Sequence, residues 1–277
     1  MKLPFVRINK MKKKLIVVAD DFGFSEAYNY GVMKAYKEGI VTVASLMSNM
    51  EAAPHAVKLA KEYPDLNLTQ HTNFVSGYPV SDPHMIPSMV DENGKFYRSV
   101  QWAPTSPLDT KCQGHVVVSY EDAKTETLAQ MARFKALTGH APNHFEGHSA
   151  GTDAINKAFL EISENTGIHC MALLDKETDS LKPAHELVMA NNEYMLALHR
   201  GMCVEDFINT EGFGLLASPY EINVMHFHPG YVDAYILDNS TLTIQRCRDL
   251  QVLCDSRLRS WLDNHNIELT DYNAVYK

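Results

Sequence analysis

Short apolar runs alternate along this chain with longer stretches whose apolar residues recur at helical spacing. Residues 14–19 read KLIVVA, a solid apolar run that predicts a strand covered on both faces. Ser25 then caps a helix on which Tyr28, Val32, Ala35 and Tyr36 share one face, and Gly39 ends it. The same reading predicts strands over 42–47, 66–71, 144–146, 169–174 and 222–226. It predicts helices over 54–62, 121–137, 153–166 and 204–218, and one long helix over 242–264. Residues 74–119 are rich in Pro, Gly and Ser without a steady period, and read as a long loop excursion of the kind that forms lids or rims. Residues 11–277 are therefore expected to form a single domain, with 1–10 as an N-terminal extension. Repeated βα units point to an α/β fold with mainly parallel strands, TIM-barrel-like and either closed, incomplete or distorted. In such folds chemistry gathers at the carboxyl ends of the strands.

Four predicted strand ends carry carboxylates or imidazoles. They are Asp20-Asp21-Phe22-Gly23, Gln70-His71-Thr72, Glu146-Gly147-His148 and His226-Phe227-His228-Pro229-Gly230-Tyr231-Val232-Asp233. Taken singly, each is as well explained by a cap or a structural histidine. One metal site accounts for all four together, since an Asp with two His makes an open divalent site with positions left for water or substrate. A divalent ion there would polarise an acyl oxygen and lower the pKa of a bound water. A second carboxylate would take that water's proton, and a further histidine would protonate a leaving group. Asp20 and Asp21 project differently from a turning backbone, so one can bind while the other acts as base. Asp21-Phe22-Gly23 also matches a kinase metal motif, but the chain has neither the Gly-rich phosphate loop nor the H-R-D segment that must accompany it.

Composition narrows the partners. The 277 residues carry a net charge of −9, which argues against a nucleic-acid groove or an anionic membrane surface. Lys12-Lys13-Lys14 reads as a solvated flank of the first strand. Five cysteines (112, 170, 203, 247, 254) include no C-x-x-C pair, so reduced, buried thiols are expected rather than a zinc finger or a disulfide framework. No run is apolar enough for a signal h-region or a membrane span, and a cytoplasmic protein is the expectation.

ADDFG at 19–23 with YGVMKAYKEGIVTVASLMSNM at 30–50, MVDENGKFYRS at 89–99 and HPGYVD at 228–233 resemble the YdjC-like carbohydrate deacetylases, the family of the chito-oligosaccharide deacetylases. The resemblance implies a barrel-like βα fold, magnesium as cofactor and a homodimer. It implies Asp21, His71 and His148 as metal ligands, Asp20 as the base and His228 as an acid near the leaving amine. The chain departs from the family pattern at Thr69-Gln70-His71-Thr72, where Gly-Leu-His-Leu is usual. It departs again at 146–150, where E-G-H-S-A replaces D-S-H-x-H and Ala150 stands for the second histidine. Two imidazoles and a carboxylate suit zinc, cobalt or iron better than magnesium.

The implied reaction is metal-dependent removal of N-acetyl groups from acetylated amino sugars or oligosaccharides. Three other readings remain: a metal-dependent glycosidase, a non-catalytic metal- or sugar-binding protein, and a serine esterase. For the last, Gly147-His148-Ser149-Ala150-Gly151 fits the G-x-S-x-G elbow, with Asp233 and His265 in triad order behind Ser149. No H-G-G oxyanion segment precedes it, and it leaves Asp20, Asp21, His71 and His228 without work. His226 shares the face of His228 by β-alternation and could support it. Phe96, Tyr97 and Trp102 are read as loop packing in preference to a sugar-stacking platform.

Overall fold

The first apolar run extends at both ends into β1 (Lys13–Phe22), whose last eight residues are all buried. The computed structural model describes residues 12–103, 113–149, 151–187 and 191–277. After β1 come α1 (Glu26–Glu38), β2 (Val43–Leu46), α2 (Ala53–Ala60), β3 (Asn67–Thr72), α3 (Tyr120–Thr138), β4 (His144–Gly147) and α4 (Asp153–Thr166). Then follow β5 (His169–Cys170), β6 (Ala184–Glu186), α5 (Asn192–Arg200), α6 (Val204–Asn209) and β7 (Ile222–Phe227). The chain ends with α7 (Ala234–Asn239), α8 (Ile244–Leu253), α9 (Ser256–Asn264) and β8 (Ile267–Thr270). Ser25 caps α1 as expected, its side chain accepting from the Tyr28 N–H, and Gly39 ends that helix.

Every pairing between these strands is parallel, in the order β5-β4-β3-β2-β1-β7-β6. This is the strand succession of a barrel with one seam left open, because β5 and β6 do not pair; the result is a curled, incomplete TIM-barrel-like sheet in a single α/β domain. β8 lies along the start of β1, with Lys13–Ile16 opposite Ile267–Thr270, and β2 takes over from Val18 onward. Terminal residues sit at the seam: Lys182 N–H donates to the Val275 carbonyl (2.6 Å) and Lys277 N–H to that of Ser180 (2.9 Å).

Alternation along the strands sorts the side chains. Leu15, Val17 and Ala19 of β1 join the main core between sheet and helices, while Ile16 and Val18 face inward with Ile222 and Val224 of β7, Val43 and Tyr272. That inner apolar layer seals the amino end of the barrel. One step further toward the carboxyl ends, the same alternation reaches Asp20 on β1 and His226 on β7. The apolar run is solid because both faces of β1 are covered, each fully buried Val or Ile contributing about 1.5–3 kcal/mol.

The described parts of the excursion, 74–103 and 113–119, are packed rather than open. Phe74, Ile86, Met89, Phe96 and Trp102 form a second core with Phe145 of β4 and Phe159 of α4. Phe96 and Trp102 are buried, which leaves them to packing and not to sugar stacking. Two carboxylates on α3 fasten the segment: Glu126 accepts from the Val80 and Ser81 N–H groups (both 2.9 Å), and Asp122 accepts from the Ser88 N–H and hydroxyl (2.8 and 2.7 Å). Replacing Glu126 by Leu strands two backbone donors and is expected to lower the unfolding free energy by about 2 kcal/mol in urea titration; an unchanged midpoint would show that the carboxylate is not the fastening.

Several expected elements differ. The helix expected over 204–218 stops at Asn209, because Glu211, Gly212, Phe213 and Gly214 all take positive φ. The long helix over 242–264 is two helices, divided where the Asp255 side chain accepts from Arg257 N–H and caps α9. The strand over 169–174 keeps only His169 and Cys170 before turning at Met171–Leu173. Only Cys170 of the described thiols is buried; Cys203 and Cys247 are exposed, and Cys112, like residues 1–10, lies outside the described residues. Among the described residues no helix is long and apolar enough to cross a membrane.

Candidate metal centre

The carboxyl end of β1 breaks the strand's alternation. Its register against β2 shifts between Ala19 and Phe22, and Asp21 takes φ 62°. That irregularity lets two consecutive carboxylates face the barrel mouth, and Asp is among the few L residues that adopt this backbone readily. The turn beyond is fixed by Asn29 of α1, which accepts from Gly23 N–H (2.7 Å) and donates to the Ala52 carbonyl (3.0 Å).

Asp21, His71 and His148 converge. Asp21 Oδ1 lies 2.8 Å from His148 Nδ1 and 3.2 Å from His71 Nε2, and the two ring nitrogens are 3.2 Å apart. Ligands about 2.0–2.1 Å from one ion stand roughly 3.3 Å apart in a tetrahedron and about 2.9 Å at right angles. The triangle fits either. Asp21 Oδ1, His71 Nε2 and His148 Nδ1 thus bring three donor atoms to one point, as a cation would require, while Asp21 Oδ2 turns to Arg246. Burial opposes ionisation of Asp21, but His148 and the Arg246 guanidinium (Nη2–Oδ2 2.8 Å) outweigh it and hold the carboxyl well below its usual range. Burial likewise lowers His71, and is overcome by Asp20, Asp21 and Glu146, which raise it well above an ordinary imidazole.

Beside this triangle stands a second group. His226 Nδ1 donates to Asp20 Oδ1 at 3.1 Å, and His228 Nε2 lies 3.9 Å from Asp20 Oδ2. Burial lowers His226, but Asp20 and Glu146 prevail and push it up to about 10. His228 goes the other way: burial pulls it down to about 4 despite Asp21 and Asp20. The backbone here is pinned from three sides. The Tyr28 hydroxyl donates to the Asp20 carbonyl (2.8 Å), the Tyr194 hydroxyl to the His226 carbonyl (2.6 Å), and His228 N–H to Asp249 Oδ2 (2.8 Å).

All five residues expected at the site therefore meet at one end of the sheet. The esterase constellation does not. Asp233 caps α7, His265 follows the last residue of α9 as its C-cap with Nδ1 2.8 Å from the Trp261 carbonyl, and Ser149 is exposed with no hydrogen bond to an imidazole among the described residues. Ser149 does take positive φ, but α4 begins only after the Thr152 cap, so no elbow runs straight into a helix.

Arg246 and Asp249 escaped the sequence reading. Both are on α8, buried at 2% and 0% exposure, one bearing on Asp21 and the other on the His228 backbone. The available sign was their place on the helix's inward stripe with Leu250 and Leu253, where charged residues are out of place unless paired. Glu146 stands in the sequence among the strand-end carboxylates without a role of its own; in the structure it is 1% exposed and lies two residues after His144 on the same face of β4.

The family model described as "YdjC-like protein" matches residues 14–264. A carbohydrate deacetylase 2 of Listeria innocua serovar 6a is 30% identical over 267 residues, covering 95% of this chain and 99% of the relative. A carbohydrate deacetylase of Geobacillus stearothermophilus is 30% identical over 269 residues, covering 96% and 100%. Among solved structures, an Enterococcus faecalis protein provisionally named for cellobiose-phosphate cleavage matches in fold with a TM-score of 0.77 at 20% identity, over 96% of this chain and 100% of that one.

Proposed function

We propose, from the premise that this chain belongs to the YdjC-like protein family, that it is a metal-dependent hydrolase removing N-acetyl groups from acetylated amino sugars or their oligosaccharides. The observation that carries this reading is the meeting of Asp21, His71 and His148 beside the Asp20–His226 pair, in a chain whose relatives are named carbohydrate deacetylases. Asp21 Oδ1, His71 Nε2 and His148 Nδ1 would hold the ion. When bound, a divalent ion there supplies a Lewis acid for the acyl oxygen and for the attacking water.

The chain's own groups account for the protons. His226 holds Asp20 Oδ1, leaving Oδ2 to accept a proton as water attacks the acetamide carbonyl. His228 is neutral before substrate arrives, since burial keeps it at about 4. Its Nε2 is 3.9 Å from Asp20 Oδ2, a gap that one bridging water or the substrate nitrogen spans, and by that route the proton reaches the nitrogen as the C–N bond breaks. Water has then supplied a hydroxyl to acetate and a proton to the amine, and Asp20 is ionised again. Arg246 keeps the other Asp21 oxygen occupied, so a single oxygen faces the ion.

The donor set favours zinc, cobalt or iron over the magnesium implied by the resemblance, and the same reading keeps the implied homodimer. The test is acetate released from N-acetylated chito-oligosaccharides by chelator-stripped protein, titrated with single divalent ions. Activity is expected to return with zinc, cobalt or iron at lower concentrations than with magnesium. Acetate release that persists through chelation would sink the reading, and so would reducing ends appearing in place of acetate.

A further inference from the structure

The three interior imidazoles His71, His144 and His226 surround one carboxylate. Glu146 is 1% exposed on β4. Its Oε1 lies 3.6 Å from His71 Nδ1, and its Oε2 lies 3.7 Å from His144 Nε2 and 3.8 Å from His226 Nδ1. All its ion pairs among the described residues are with these rings, and neither oxygen makes a hydrogen bond of acceptable geometry. Apolar side chains in place of the whole buried group would often serve stability as well, so stability alone does not call for a carboxylate here. The carboxylate's position between two halves of the site is what distinguishes it.

We infer that Glu146 is a positioning residue, orienting the metal-facing ring of His71 with one oxygen and, through His226, the base Asp20 with the other. This rests on the proposed deacetylase chemistry. His71 turns Nε2 toward Asp21 and His148, and a ring offering that lone pair to a cation carries its proton on Nδ1, the atom that faces Glu146. His226 Nδ1 lies between Glu146 and Asp20, and its donation to Asp20 Oδ1 leaves Oδ2 facing His228. Glu146 is itself backed by a fixed ring. His144 stacks on Tyr272 with centroids 4.1 Å apart, and its Nδ1 lies 2.5 Å from the Tyr276 hydroxyl. The terminal residues at the open seam thus bear, through His144, on the carboxylate beneath the metal centre.

The two halves separate experimentally. Chelator-stripped protein is titrated with Co²⁺ against a chromophoric chelator, and acetate release is measured at saturating Co²⁺, with a thermal melt on each variant. Glu146→Gln is expected to weaken Co²⁺ binding about 10–100-fold and to lower kcat; Glu146→Asp, which keeps the charge, falls between. His226→Leu is expected to leave Co²⁺ affinity unchanged while lowering kcat about 10-fold or more at constant KM. His226→Asn, whose amide can replace Nδ1 as donor to Asp20, recovers most of that loss. A general loss of packing would not divide binding from turnover in this way. Wild-type Co²⁺ affinity in a folded Glu146→Gln protein overturns the inference. So does a second bound ion lost in both Glu146→Gln and His226→Leu, since that would make Asp20, Glu146 and His226 ligands themselves. If the wild-type protein releases no acetate, the deacetylase reading fails, and the Co²⁺ titration still decides the role of Glu146 toward His71.

Discussion

Asp20→Asn is expected to lower kcat for acetate release by about 10²–10⁴ while ion affinity and KM stay near those of the parent. Asparagine keeps the size of the side chain and an oxygen that can accept from His226 Nδ1, now 3.1 Å from Asp20 Oδ1. It cannot take a proton from water. The interaction removed acts in the transition state alone, so turnover falls and binding does not. Steady-state kinetics with saturating ion checks this, and full activity in the variant would show that Asp20 is not the base. Glu146 would be a poor substitute at 1% exposure, enclosed by three imidazoles.

Asp21→Asn should do the opposite, abolishing ion binding first and activity in consequence. Asparagine tolerates the left-handed backbone at φ 62°, so the charge is removed without the strain of about 1–2 kcal/mol that Val or Leu would add. Arg246, 2% exposed, then loses the carboxylate 2.8 Å from its Nη2. Breaking one partner of a buried ion pair typically costs about 3–5 kcal/mol, and urea unfolding of the ion-free proteins measures it. Pairing the change with Arg246→Met should restore much of that stability but none of the ion binding. An Asp21→Asn protein with parental ion affinity would remove Asp21 from the ligand set.

How much of this could be read in advance follows from the range of the interactions. The strands that matter were legible because their apolar runs are local, and the rule that chemistry gathers at carboxyl ends turned Asp20, Asp21, His71, His148 and His228 into candidates. β6, of three residues, and the two-residue β5 are too short for a period to appear, and the open seam between them could not be foreseen. The division of α8 from α9 was marked in the sequence by Asp255, a capping residue inside an apolar pattern. Arg246 illustrates the remaining limit. Its partner is 225 positions earlier in the chain, and only the packing of α8 against α1 and the barrel mouth brings the two together. The bulge that aims both Asp20 and Asp21 inward is likewise a consequence of strand register, which no local pattern records.

The most direct measurement is an anomalous-difference map from crystals of the chelator-stripped protein loaded with zinc or cobalt. The account predicts one peak per chain, about 2.0–2.2 Å from Asp21 Oδ1, His71 Nε2 and His148 Nδ1. A peak held by other residues, or none at saturating ion, would contradict it.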